Sequence, residues 1–315
     1  MWVANRGEKA MISAESPRIT PIVECLSQHL SAVERTGPDR WQFRVSGGAD
    51  TAGTIVMQPD WLRIGVRLIV DRTGRLLSPR QLQWMLQANA ELPGGVKFWL
   101  DEPGQQASLA AEIPLEDDNF DSQRSLEPWI GEVCAGLRQG ALLWSVLKAR
   151  NPGRHETAMI DLEAEVDGEA EHHLAQLCQR IGWTFSTRAN RQIAVRLDVR
   201  DAFCQALLAP DLGQMSRLRV SLGQATASDG DSPEAISMLL LSACRAVRLA
   251  RAVVAPASET LEYRWEVLLP PGFGGRELKH ALSALSVACQ LTARELQSLE
   301  DETIAREYLA MRERR

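Results

Sequence analysis

The sequence predicts an α+β fold built as two similar halves, and three observations carry that prediction. The chain has 315 residues, and at roughly 100–200 residues per domain that is enough for about two domains. Stretches with apolar residues at helical spacing alternate with short runs in which apolar and polar residues take turns. A Ser-Pro helix start occurs twice, at Ser78-Pro79 and Ser232-Pro233, each time after a strand-like run (Leu62-Arg63-Ile64 and Leu218-Arg219-Val220) at nearly the same distance.

In the first half, a polar tail runs to about Arg18. Ile22, Val23, Leu26, His29, Leu30 and Val33 then mark one side of a helix. Strands follow at Trp41–Val45, Gly53–Met57 and Leu62–Leu68, read from alternation or from flanking turn residues. Ser78 at the cap and Pro79 at the first helical position start a second helix. It carries Leu82, Met85 and Leu86 and stops near Leu92-Pro93-Gly94-Gly95. A hairpin of Val96–Leu100 and Ala107–Ile113 precedes a long helix from about Gln123 to Ala149.

The second half replays this order. A helix spans Glu169–Arg180, and strands are expected at Gln192–Leu197, Cys204–Leu208 and Leu218–Leu222. A helix from Ser232-Pro233 carries Ile236, Leu239, Leu240 and Cys244, and strands follow at Arg248–Val254 and Leu261–Leu269. A final helix runs from about Gly275 into a charged tail, where Leu296, Leu299 and Ile304 keep helical spacing. Each half is thus read as helix, three strands, helix, two strands, helix: an antiparallel sheet of about five strands with three helices. The boundaries expected are a polar tail at 1–17, a first domain at 18–150, an acidic linker at 151–168, and a second domain at 169–315 that includes the charged helix.

Two segments resemble a known family. In Leu177–Asp198 a helix ends in Ile181-Gly182, the short apolar stretch Trp183-Thr184-Phe185 follows, and after a polar turn comes the alternating strand Gln192–Leu197. This resembles the entry segment of class I type III secretion chaperones. Leu86–Asp101, with Asn89 in the last helical turn, resembles the second-helix-to-hairpin segment of the same fold. The resemblance covers most of residues 18–150 and 168–300. It implies binding of an extended client segment without a cofactor. Such chaperones are usually about half this length and form homodimers, so two copies in one chain imply an internal pseudo-dimer, paired through helix two or a sheet edge and monomeric as a whole. The same fold occurs in bacterial regulator-like proteins that serve no secretion system.

Composition narrows the partners. Lys and Arg number 35 against 41 Asp and Glu, a formal charge of -6. Nucleic acid is therefore not the expected main partner, although a local basic face is compatible with this balance. No run of about 18 apolar residues exists, so no membrane insertion is expected. Met1–Gly7 lacks the apolar stretch of a signal peptide, which points to the cytoplasm. Six cysteines stand singly, none in a C-x-x-C pair, and read as buried, reduced side chains.

The motifs of phosphate-binding loops, serine hydrolases and zinc proteases are missing. Gly272-Phe273-Gly274-Gly275 lacks the lysine of a phosphate cradle. His172 and His173 are adjacent and point about 100° apart on a helix, which suits a polar helix start better than a metal. The acidic run Glu116–Asp121 lacks the array of a calcium loop and reads as a loop before a helix. No catalytic, metal or cofactor residue is assigned. Nine tryptophans stand beside two tyrosines. Most read as core, while Trp41, Phe43, Trp61 and Trp99 are the candidate client-binding platform on one sheet. The expected function is that of a non-enzymatic chaperone or adaptor. A regulator-type interaction module of the same fold and an enzyme with a site between the halves stay open at this point.

Overall fold

The computed structural model describes residues 19–45, 51–68, 77–101, 106–115, 123–149, 168–188, 193–197, 199, 204–210, 216–226, 230–257, 260–270 and 273–313. The expected N-terminal tail, the acidic run Glu116–Asp121 and nearly all of the expected linker lie outside these residues, as do Pro271 and Gly272.

The first half runs α1 (Ile19–His29), β1 (Ser31–Gly37), β2 (Arg40–Val45), β3 (Thr51–Gln58), β4 (Trp61–Leu68), α2 (Pro79–Glu91), β5 (Lys97–Asp101), β6 (Gln106–Pro114) and α3 (Gln123–Ala149). The second runs α4 (Gly168–Ile181), β7 (Phe185–Thr187), β8 (Ile193–Leu197), β9 (Cys204–Pro210), β10 (Ser216–Thr226), α5 (Asp231–Ala246), β11 (Arg251–Ala257), β12 (Thr260–Leu269), α6 (Gly275–Ser298) and α7 (Glu302–Glu313). The fold is α+β with two antiparallel six-stranded sheets, ordered β1-β2-β3-β4-β6-β5 and β11-β12-β10-β9-β8-β7.

Each sheet has one strand more than the reading of the sequence. The helix expected through Val33 ends at His29, and the chain passes into β1 at Ser31, where Ala32 takes a left-handed backbone (φ 50°) within the register shift between Ser31 and Glu34. β1 pairs only with β2, through register shifts, and is mostly exposed. It therefore shows no apolar alternation. β7 is three residues long. The last helix also divides: α6 ends at Ser298, and the Asp301 carboxylate accepts from the amides of Thr303 and Ile304 to start α7.

Elsewhere local chemistry sets the element ends. Ser78 and Gln81 form a reciprocal capping box at the start of α2. Alternation in β2 and β4 puts Trp41, Phe43, Val45, Leu62, Ile64, Val66 and Leu68 on one buried face. α3 packs on the strands of that sheet, with Gly136 and Gly140 allowing close approach to Pro93 and Leu109. In the second half, α6 packs on β8, β9, β10 and β12. The buried apolar side chains of both halves form one continuous cluster.

Candidate functional site

The halves meet through a reciprocal exchange. α2 packs on β11 of the second sheet, α5 packs on β5 of the first, and the two helices touch. Lys97 and Arg251 open β5 and β11 and are fully buried. Lys97 Nζ donates to the carbonyls of Val247 (2.5 Å) and Ala250 (3.1 Å), and pairs with Glu112 on β6 at 3.0 Å. Two ammonium protons thus cap carbonyls of the opposite half, and the charge is balanced by Glu112. Arg251 Nη1 donates to the carbonyls of Leu92 (2.5 Å) and Val96 (3.4 Å), and Nη2 to that of Ala90 (3.4 Å). Its carboxylate is Glu266 on β12, 3.6 Å away, which Arg217 of β10 also holds at 3.1 Å.

Leu92 and Val247 are the C-caps of α2 and α5. Helix C-termini carry partial negative charge and carbonyls with no partner inside the helix. Each half therefore supplies the cation that caps the other half's second helix. The backbone repeats too, since Gly95 (φ 73°) and Leu249 (φ 59°) hold left-handed turns two residues before the two cations.

Two side chains near the ends of these helices tie down the neighbouring strands. Asn89 Oδ1 accepts from the Phe98 amide at 2.6 Å, and its Nδ2 reaches across to the Ala252 carbonyl at 3.0 Å. Cys244 Sγ accepts from the Ala252 amide at 3.1 Å. Burial raises the Cys244 thiol to about 11 against an ordinary 9.0, with Lys97 and this hydrogen bond opposing. A second contact closes the rim, where Arg248 lies 4.8 Å over the Trp61 ring and donates to Gln58 Oε1, with the His280 ring 6.0 Å away.

The aromatic residues singled out in the sequence do not share one surface. Trp41 and Phe43 lie in the core on the helix-covered face, at 4% and 1% exposure. Phe43 fills the space over Gly53, where a Cβ would meet its ring at 2.2 Å. Trp61 and Trp99 take the opposite face. Trp99 is nonetheless 1% exposed, because β5 lies under α5 and the Arg63 guanidinium sits 4.5 Å over its ring. Of the four, Trp61 alone is half-exposed. Alternation along a strand assigns a face, but it does not say which face a distant helix will cover.

Apolar exposure lies on helices instead. Leu142 and Val146 on α3, and Val287 and Leu291 on α6, form two matched i, i+4 pairs at 46–49% exposure. A cavity of about 230 Å³ lies between α1, β1, β2 and α3, lined by His29, Ser31, Arg44 and Arg138 among others. Arg138 there caps the α1 carbonyl of His29 at 3.2 Å. Among the described residues no three His, Cys, Asp or Glu side chains converge on a possible metal position. His172 hydrogen-bonds Gln176 on its own helix, and His173 meets the edge of Phe273. No described helix is long and apolar enough to cross a membrane.

Comparison of the chain with family models, with curated proteins and with solved structures returns no match.

Proposed function

We propose that this chain is a non-enzymatic protein-binding chaperone or adaptor, an internal pseudo-dimer of two halves like class I type III secretion chaperones, that holds an extended segment of a client. The observation that carries this reading is the reciprocal seam. Helix two of each half covers the other half's sheet and receives its C-terminal cation from that half. That is how two subunits of a dimer would meet, written into one chain.

The sheets also leave places for an extended segment. β5 and β11, at one edge of each sheet, lie against the opposite half. β1 and β7 form the other edges and pair on one side only. A client strand can add there.

The test is co-purification of the tagged protein from its native host, with molar mass measured by light scattering on the same sample. A stoichiometric partner on a single copy of this chain is the expected result. A bare monomer that also fails to suppress aggregation of an unfolded protein would overturn the reading.

A further inference from the structure

We infer that the outer face of the second sheet carries a binding site for an oxyanion, a carboxylate or a phosphate group, centred on Arg219 and completed by Arg264. The site belongs to the second sheet alone and does not depend on a client being held.

The cross-strand register places these groups. Arg219 on β10 lies opposite Glu266 on β12, and Glu266 opposite Arg251 on β11. Opposite residues share a face, so Arg219 lies on the face of the seam cation. Arg264 precedes Glu266 by two residues and lies opposite Ser221, which makes it the diagonal neighbour of Arg219. Diagonal neighbours are about 7–8 Å apart, within reach of two long side chains. Arg217 stands two residues before Arg219, on the same face.

Four guanidinium groups thus share this patch with two carboxylates, and both carboxylates are taken. Glu266 is held by Arg217 and Arg251, at 3.1 and 3.6 Å. Glu262 accepts from Arg264 and from the Ser221 hydroxyl. Arg219 is half-buried and makes no hydrogen bond or ion pair among the described residues. Burial and the neighbouring Arg264 hold it below the ordinary arginine value; Glu262 and Glu266 oppose this, and Arg217 adds to it. An arginine nonetheless keeps its proton, so the patch stays positive. Arg264 spends Nη2 on Glu262, and its other nitrogens stand beside Arg219 for a ligand.

The first half shows that the seam needs no cation at this position. There Lys97 lies opposite Ala110, and Ala110 opposite Gly65. Gly65 and Ala110 therefore stand where the second sheet has Arg219 and Glu266. In the next row, Ser108 and Trp99 stand where the second sheet has Arg264 and Val253. Trp99 takes a guanidinium on its ring, whereas Val253 offers none. Lys97 caps α5 with Glu112 behind it, and Arg251 caps α2 with Glu266 behind it. Arg219 is surplus to that arrangement. A half-buried cation among like charges is costly to keep, and an oxyanion offsets the cost through charge-assisted bonds to the guanidinium forks.

The probes are inorganic phosphate and the peptide acetyl-Gly-Glu-Gly-amide, titrated calorimetrically into the full chain in Tris-chloride. Acetyl-Gly-Gln-Gly-amide, which lacks the carboxylate, is the blank. Expected is saturable binding of at least one anionic probe, weakened roughly ten-fold or more in Arg219→Gln, less in Arg219→Lys, and unchanged in Arg40→Gln. Tighter phosphate binding identifies a phosphoryl group as the ligand, and tighter peptide binding an acidic side chain. Melting temperatures without either probe give the second readout. Arg219→Gln should melt at or above wild type, since it removes a repelled cation. No binding of either anion, equal binding by wild type and Arg219→Gln, or an Arg219→Gln protein that melts lower or does not fold would overturn the inference.

Discussion

Lys97 and Arg251 each leave their own strand to cap a helix of the opposite half, and each is anchored from behind by a carboxylate of its own sheet. Burying such charges costs several kcal/mol per ion, and the attraction offsets this only when every proton finds a partner. Here the Lys97 ammonium has two carbonyl acceptors and the Glu112 carboxylate at 3.0 Å. The seam is thus demanding in geometry: it forms when both second helices, both hairpins and both carboxylates are in place. The two halves are coupled through it, as well as through their continuous core.

Lys97→Met follows directly from this. The change leaves Glu112 buried without its cation, and breaking a buried pair in this way costs about 3–5 kcal/mol. Lys97→Met/Glu112→Leu restores most of the loss, since an apolar pair of similar volume fills the same space. Arg251→Met costs less, because Glu266 keeps Arg217 at 3.1 Å. Urea unfolding of the four proteins checks the order. A single transition at the same midpoint by tryptophan fluorescence and by circular dichroism is expected for wild type.

Local chemistry was legible in the sequence, and the seam was not. α3 spans Gln123–Ala149 as its periodicity predicts, and Ser78-Pro79 starts α2 through a capping box that needs only four neighbouring residues. Ser232-Pro233 looked identical, yet α5 starts two residues earlier than that pattern places it, at Asp231, and the Ser232 hydroxyl donates to the Leu299 carbonyl. β1 escaped notice because an edge strand without a buried face has no alternation. Trp99 was legible as a strand residue on the outer face, but not as core, because the helix that covers it comes more than 130 residues later. Lys97 and Arg251 fall inside the strands expected at Val96–Leu100 and Arg248–Val254 without standing out, since their acceptors are backbone carbonyls, which no sequence pattern marks.

Three buried thiols give the protein a predicted alkaline limit. Burial holds Cys178 and Cys244 at about 11 and Cys134 at about 12, above the ordinary 9.0. A group whose folded value is raised binds its proton more tightly in the folded state, so its contribution is complete below about pH 9. It is lost as pH rises toward the folded value. For Cys244 the two-unit difference corresponds to about 2–3 kcal/mol. Thermal melts between pH 8 and 11 should fall steeply for wild type and less steeply for Cys244→Ala. Equal slopes would contradict the assignment.

Gly94 and Gly95 separate backbone strain from crowding. Both hold left-handed φ, at 67° and 73°. A Cβ on Gly94 would stand 2.4 Å from the backbone nitrogen of Val133 in α3, whereas one on Gly95 meets nothing within 4 Å. Gly95→Ala should cost about 1 kcal/mol, the left-handed penalty alone. Gly94→Ala adds a clash between backbones that cannot relax locally, and should cost roughly 2–4 kcal/mol. Denaturation midpoints of the two variants test this, and equal losses would show that α3 can yield at this point.

The start of α5 carries a cap borrowed from the end of the chain. Its N-cap is Gly230, which has no side chain to offer, and the Asp231 amide donates instead to Glu302 Oε2 of α7 at 3.1 Å. Glu302→Ala removes that acceptor and should cost about 1 kcal/mol, the usual worth of an N-cap. Arg306→Ala should cost under about 0.5 kcal/mol, because its pair with Asp231 is 74% exposed on the arginine side. The informative variant is Gly230→Ser. In wild type its Cβ would meet Glu302 Oε1 at 2.8 Å, and the long glutamate must shift to admit it. In the Glu302→Ala background that obstacle is gone, and the serine hydroxyl can cap its own helix. Gly230→Ser is therefore expected to be neutral or slightly harmful alone, yet stabilising in Glu302→Ala. A double-mutant cycle of melting temperatures reads the sign. Simple additivity would mean that Glu302 is not the cap of α5.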